Sequence, residues 1–126
     1  MASFGIPNTY KIGIKQHKEL QKLVGTFFPS FSEFVRFSIL HYVKLLDSND
    51  DFRKSLNLMS ERSFFNENTI QVCFRISKFQ HDKLEHYTKE FNTTKSNLIR
   101  TFLMMFTEEY SDYLKNEEMV VNKNEN

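Results

Sequence analysis

Thr94-Lys95-Ser96-Asn97-Leu98-Ile99-Arg100-Thr101-Phe102-Leu103 has an imperfect twin 64 residues earlier, in Ser30-Phe31-Ser32-Glu33-Phe34-Val35-Arg36-Phe37-Ser38-Ile39. The match runs upstream without a gap. At the same offset Tyr10-Lys11-Ile12 pairs with Phe74-Arg75-Ile76, Gln16-His17 with Gln80-His81 and Leu20 with Leu84. The chain is therefore a tandem of one small motif, and an internal repeat constrains the fold more strongly than any single residue does.

Within each copy the apolar period changes once. Tyr10, Ile12 and Ile14 alternate with Lys11, Gly13 and Lys15, and Ile70, Val72, Phe74 and Ile76 alternate with Gln71, Cys73 and Arg75. Period two is the mark of a half-buried strand. The spacing then becomes helical: Leu20, Leu23, Val24 and Phe27 in the first copy, Leu84, Tyr87 and Phe91 in the second. Each first helix is expected to stop at a breaker, Phe28-Pro29 or Asn92-Thr93, before a capping Ser30 or Thr94. Second helices follow, with stripes Phe31, Phe34, Val35, Ile39, Tyr42, Val43, Leu46 and Leu98, Ile99, Phe102, Leu103, Phe106, Tyr110, the latter continuing through Tyr113 and Leu114.

A copy of some forty residues is too short to bury an adequate core alone. A lone strand would also leave an unpaired edge. The economical solution sets the two strands side by side, so the expected fold is mainly α with a two-stranded antiparallel β-ribbon. The expected boundaries are repeat one at 6–46, a linker at 47–68, repeat two at 69–115 and a disordered tail at 116–126, both repeats forming one compact domain. Ser48-Asn49-Asp50 reads as a turn or cap into Phe52, Leu56, Met59 and Phe64-Phe65. That linker has two readings, a short helix over one flank of the core or a surface for self-association on DNA, the first being the plainer.

The net charge of +1 conceals a segregation. Lys and Arg outnumber Asp and Glu six to two in residues 1–46 and six to three in 69–107; the balance is three to five in 47–68 and two to six in 108–126. A basic body between acidic segments can turn one positive face to a polyanion. The longest apolar run, Phe102 to Phe106, is far too short to span a bilayer, and no secretory signal pattern opens the chain. One cysteine, Cys73, excludes an intrachain disulfide framework. The expectation is a cytoplasmic protein without a membrane partner, in the host cytoplasm if it is viral. No phosphate loop, nucleophile elbow or metalloprotease run occurs, and His81, Glu85 and His86 lack a second ligand cluster. No enzyme activity, metal or cofactor is expected.

These residues resemble the ribbon-helix-helix regulators, to which the Arc and methionine repressors belong. That family joins an alternating strand, a helix, a short turn and a second helix opening on Ser-x-Ser-x-Leu-Ile-Arg. Thr94 to Arg100 is similar to that opening nearly throughout, and Ser30 to Arg36 is similar with larger apolar residues. Where the family has Pro after the strand, Gly13 and Ser77 stand here. Two copies in one chain look like the tandem regulators of archaeal filamentous viruses. The resemblance implies a tandem ribbon-helix-helix pseudo-dimer that regulates transcription, expected as a repressor and compatible with activation, binding double-stranded DNA through the major groove. It implies base reading by Thr9, Lys11, Gln71, Cys73 and Arg75. It also implies phosphate binding at the second-helix starts, by Ser30, Phe31, Ser32, Thr94, Lys95 and Ser96. Pro7 matches Gln71 and cannot copy it, so the expected operator is an imperfect palindrome. Arg36 and Arg100, two turns into the second helices, are expected to brace the fold or pair with an acid rather than touch DNA. The rival reading is an antitoxin-like interaction module whose acidic C-terminal segment, from Glu108 onward, binds a partner; a poorer one is a coat for nucleic acid without sequence preference.

Overall fold

Alternation makes the strands, and burial follows it residue by residue. The computed structural model describes residues 5–58 and 68–124, with the side chains of 23–27 and 110–124 outside the description. Met59, Phe64 and Phe65 of the linker, and the side chains of Leu23, Val24, Phe27, Tyr110, Tyr113 and Leu114, thus lie outside it. The order is β1 (Ile6–Gly13), α1 (Ile14–Phe27), α2 (Phe31–Ser48), α3 (Asp50–Ser55), β2 (Thr69–Ile76), α4 (Lys78–Glu90) and α5 (Lys95–Asn124). The chain is mostly helical around one two-stranded antiparallel sheet.

The register pairs Pro7 with Arg75, Thr9 with Cys73 and Lys11 with Gln71. Thr9 and Cys73 are equivalent in the repeat, and they face each other. The flanking pairs Pro7–Arg75 and Lys11–Gln71 exchange under the same offset of 64. Tyr10, Ile12, Phe74 and Ile76 turn inward and are buried, and the rings of Tyr10 and Phe74 meet edge to face at 5.5 Å.

The helical stripes meet beneath the ribbon. Phe34, Val35, Ile39 and Tyr42 of α2 and their counterparts Leu98, Ile99, Leu103 and Phe106 of α5 are all fully buried, with Leu20 and Leu84 beside them. Fully burying a side chain of this size contributes roughly 1.5–3 kcal/mol, so the two second helices hold the centre of the core. Ser38 is buried opposite this logic, its hydroxyl donating to the Phe34 carbonyl at 2.9 Å.

Local chemistry sets the boundaries. Ile14 opens α1 instead of extending β1; its amide donates to the Asn68 carbonyl at 3.0 Å, just before β2. Ser77 caps α4, its hydroxyl accepting from the Gln80 amide while the Gln80 side chain returns to the Ser77 amide, a capping box. Asn92 ends α4 at φ +51, with Thr93 donating to the Thr88 carbonyl and Asn92 to that of Lys89, the Schellman pattern. Gly5 adopts φ +87, where an added Cβ would lie 2.7 Å from the Ile76 carbonyl oxygen, so only glycine fits.

The linker helix covers a flank. Asn49 caps α3 by accepting from the Phe52 amide, and the Phe52 ring stacks on Tyr42 at 6.3 Å. Helix α5 reaches Asn124, whereas the sequence reading expects a disordered tail from residue 116. Neither Gly nor Pro occurs after Pro29, so nothing in Asn116 to Asn124 breaks a helix already started. No helix among the described residues is long and apolar enough to cross a membrane.

A polar cluster locks α2 to α4. Tyr87 donates to the Asp47 carboxylate, and Lys83 pairs with its other oxygen at 3.0 Å. Burial disfavours the ionised Asp47, but the hydrogen bonds from Tyr87 and Lys83 and the nearby positive charge outweigh it and hold the carboxyl below its ordinary 3.8. Lys95 likewise holds Glu85 below 4.5. Both depressed carboxyls contribute stability that is whole above these ordinary values and is lost as pH falls through the lower folded ones. Asp47→Asn is expected to cost about 1–2 kcal/mol at pH 7, and the gap to wild type should close below pH 3.8. Urea midpoints at neutral and acid pH test this; a gap that persists in acid would rule out charge as its source.

Candidate nucleic-acid interface

The side of the ribbon away from the helices is a continuous exposed row. Pro7, Thr9 and Lys11 of β1 and Gln71, Cys73 and Arg75 of β2 all face solvent. Lys11 and Arg75 are cationic, and Gln71 offers paired donor and acceptor groups. Arg75 donates through Nη1 to the Gly5 carbonyl at 3.3 Å. The five residues expected to read bases are thus on one face. The thiol of Cys73 is free and, as a weak donor, suits packing better than hydrogen bonding.

Each strand is held by the second helix of the other repeat. Arg100 of α5 donates through Nη1 to the Lys11 carbonyl at 2.8 Å, and Arg36 of α2 donates through Nη1 to the Arg75 carbonyl at 3.0 Å. These two contacts exchange under the repeat offset. Arg36 also pairs with Glu33, and Arg100 with Asn97. Both arginines therefore brace the backbone of an outward-facing cation. Ser96 adds to this: its hydroxyl accepts from the Lys11 amide at 3.1 Å.

The starts of α2 and α5 flank the ribbon through these contacts. Helix-terminal amides have no carbonyl one turn back. At α2, Ser30 accepts from the Glu33 amide and its carbonyl from that of Phe34, leaving the amides of Phe31 and Ser32 facing out of the helix end. At α5, Thr94 does the same for Asn97 and Leu98, leaving those of Lys95 and Ser96. Amides so placed, at the positive end of a helix dipole, suit an anion.

The side chains there are less free than the sequence implies. The Lys95 ammonium is shared between Glu85, at 3.0 Å, and the Asn8 amide oxygen, at 2.9 Å. Asn8, on the inward side of β1 and 4% exposed, was not legible as a site residue: alternation marks its direction, not its partner. Phe31 lies half-buried against the His17 ring, centroids 4.8 Å apart. Burial lowers the His17 pKa below its ordinary 6.5, so at neutral pH this imidazole is uncharged and offers phosphate no cation. Among the described residues no group of three or more His, Cys, Asp and Glu is placed to hold a metal ion. Comparison with known proteins matches the chain to no family model, no curated protein and no solved structure.

Proposed function

We propose that the chain is a sequence-specific double-stranded DNA-binding transcription regulator, its two ribbon-helix-helix repeats forming an intramolecular pseudo-dimer whose ribbon enters the major groove. One observation carries this reading: the ribbon pairs about Thr9 and Cys73, equivalent residues of the two copies, and turns Thr9, Lys11, Gln71, Cys73 and Arg75 outward. A pseudo-dimer about a local two-fold axis needs such a register, and duplex DNA offers a matching symmetry. Arg75 suits the N7 and O6 of guanine, Gln71 suits adenine, Lys11 donates to guanine acceptors and Thr9 meets a thymine methyl. Ser30, Phe31, Ser32 and Thr94, Lys95, Ser96 position the phosphates through main-chain amides and hydroxyls, which sets register without reading sequence.

Binding of wild type, Lys11→Ala and Arg75→Ala to duplexes selected by the protein, against scrambled duplexes across a salt series, tests the proposal. Selected sites should win by about a thousandfold or more. Each variant should lose about 1–3 kcal/mol on selected sites and much less on scrambled ones. Equal affinity for all duplexes with a steep salt slope would mean phosphate coating without readout. No binding at all would turn attention to the acidic C-terminal segment as the partner surface.

A further inference from the structure

The register of the ribbon is symmetric but its outward chemistry is not. Lys11 gives its amide to Ser96 and its carbonyl to Arg100. Its backbone groups thus turn away from Gln71, which makes Lys11–Gln71 a non-hydrogen-bonded pair, the kind in which facing side chains are closest. Alternation places Pro7–Arg75, four positions along, in the same class, and the Arg75 carbonyl is indeed taken by Arg36. Pro7 therefore breaks no ladder bond by lacking an N–H.

The two ends of the reading face then differ in kind. At one end Lys11 and Gln71 stand side by side, two long polar chains able to address the same or adjoining base pairs. Beside them is the first turn of α5, which carries no acid. At the other end Arg75 faces the Pro7 ring, which offers neither donor nor acceptor, and its guanidinium reaches along the ribbon to Gly5. The first turn of α2 beside it holds the acidic Glu33. Each end has an acid already held by a base, Glu33 by Arg36 and Glu85 by Lys95, so the difference lies in base readout, which is weaker in number at the Arg75 end.

We infer that the chain binds its operator in one fixed orientation, with the Lys11–Gln71 end as a two-residue reader of the dominant half-site and the Arg75 end reading a single guanine. This rests on the proposed role of the ribbon in DNA reading. A symmetric homodimer would bind either way round; a single chain with unlike ends distinguishes the two directions along the duplex.

The test is selection by the full-length protein from a pool of duplexes with a randomised core. Wild type should enrich a motif with two dissimilar halves, and duplexes that duplicate either half should bind about tenfold or more weaker. The double variant Pro7→Gln/Arg75→Lys copies the Gln71 and Lys11 chemistry onto the other end. With its fold verified by circular dichroism, it should instead prefer the duplex in which the Lys11–Gln71 half-site is duplicated, by about tenfold. Enrichment of a true palindrome by wild type, or equal affinity for the symmetrised duplexes, would overturn the orientation while leaving DNA reading intact. No enrichment over the starting pool would overturn both. The wild-type arm decides the matter without the variant.

Discussion

Phe106→Ala is expected to lower the unfolding free energy by about 3–5 kcal/mol. The ring is 1% exposed and lies on α5, yet it meets five rings of the first repeat: Phe34 at 5.4 Å, Phe37 at 5.5 Å, Phe28 at 5.9 Å, His41 at 6.2 Å and Tyr42 at 6.4 Å. Truncation removes its transfer free energy and leaves a cavity among rigid rings that cannot collapse around it. The void also opens at the contact between the two copies. A domain of this size has only about 5–15 kcal/mol in total, so the variant should unfold at a much lower urea concentration. Phe37→Ala is the control. Its ring touches the same cluster but is 45% exposed, and about 1 kcal/mol or less is expected. Similar midpoints for the two variants would refute the placement of Phe106 at the centre of the core.

The second large effect concerns the paired braces. Arg100→Ala should cost about 1.5–3 kcal/mol, the range for a hydrogen bond involving a charged group. Arg36→Ala should cost about 1 kcal/mol, because equivalent geometry does not mean equivalent burial. Arg100 is 6% exposed, whereas the Arg36 side chain is 31% exposed and its contact competes with water. Arg100→Lys should not restore the loss, since one ammonium cannot serve both the Lys11 carbonyl and the Asn97 side chain in the guanidinium geometry. Denaturant titration of the three variants measures this, and an Arg36→Ala cost equal to that of Arg100→Ala would contradict it. On the proposed reading of the ribbon, and under conditions where every variant is folded, Arg100→Ala should also weaken binding to selected duplexes, through the freed backbone of Lys11.

Much of the architecture could be read from the residues themselves. Tyr10, Ile12, Phe74 and Ile76 declare strands by alternation, and Phe34, Val35, Ile39, Leu98, Ile99 and Leu103 declare helices by spacing, because burial of one face imposes a period on whichever backbone carries it. Ser30, Thr94 and the Asn92 turn mark boundaries by local hydrogen bonding, which involves residues only a few positions apart. The outward direction of Lys11, Gln71 and Arg75 follows from the same alternation. The span of α5 did not, since a polar, acidic composition reads as disorder although no residue in it breaks a helix.

Partner choice came from the packing of the folded chain. That Thr9 faces Cys73, that Arg100 reaches Lys11 across 89 residues, that Ser96 takes the Lys11 amide and that Lys95 is shared by Asn8 and Glu85 are choices among many donors and acceptors of equal capacity. A sequence states what each group can bond and which way its element turns it. Which distant groups meet is settled when the apolar faces close on one another, because that packing, and not the hydrogen bond itself, brings them within reach.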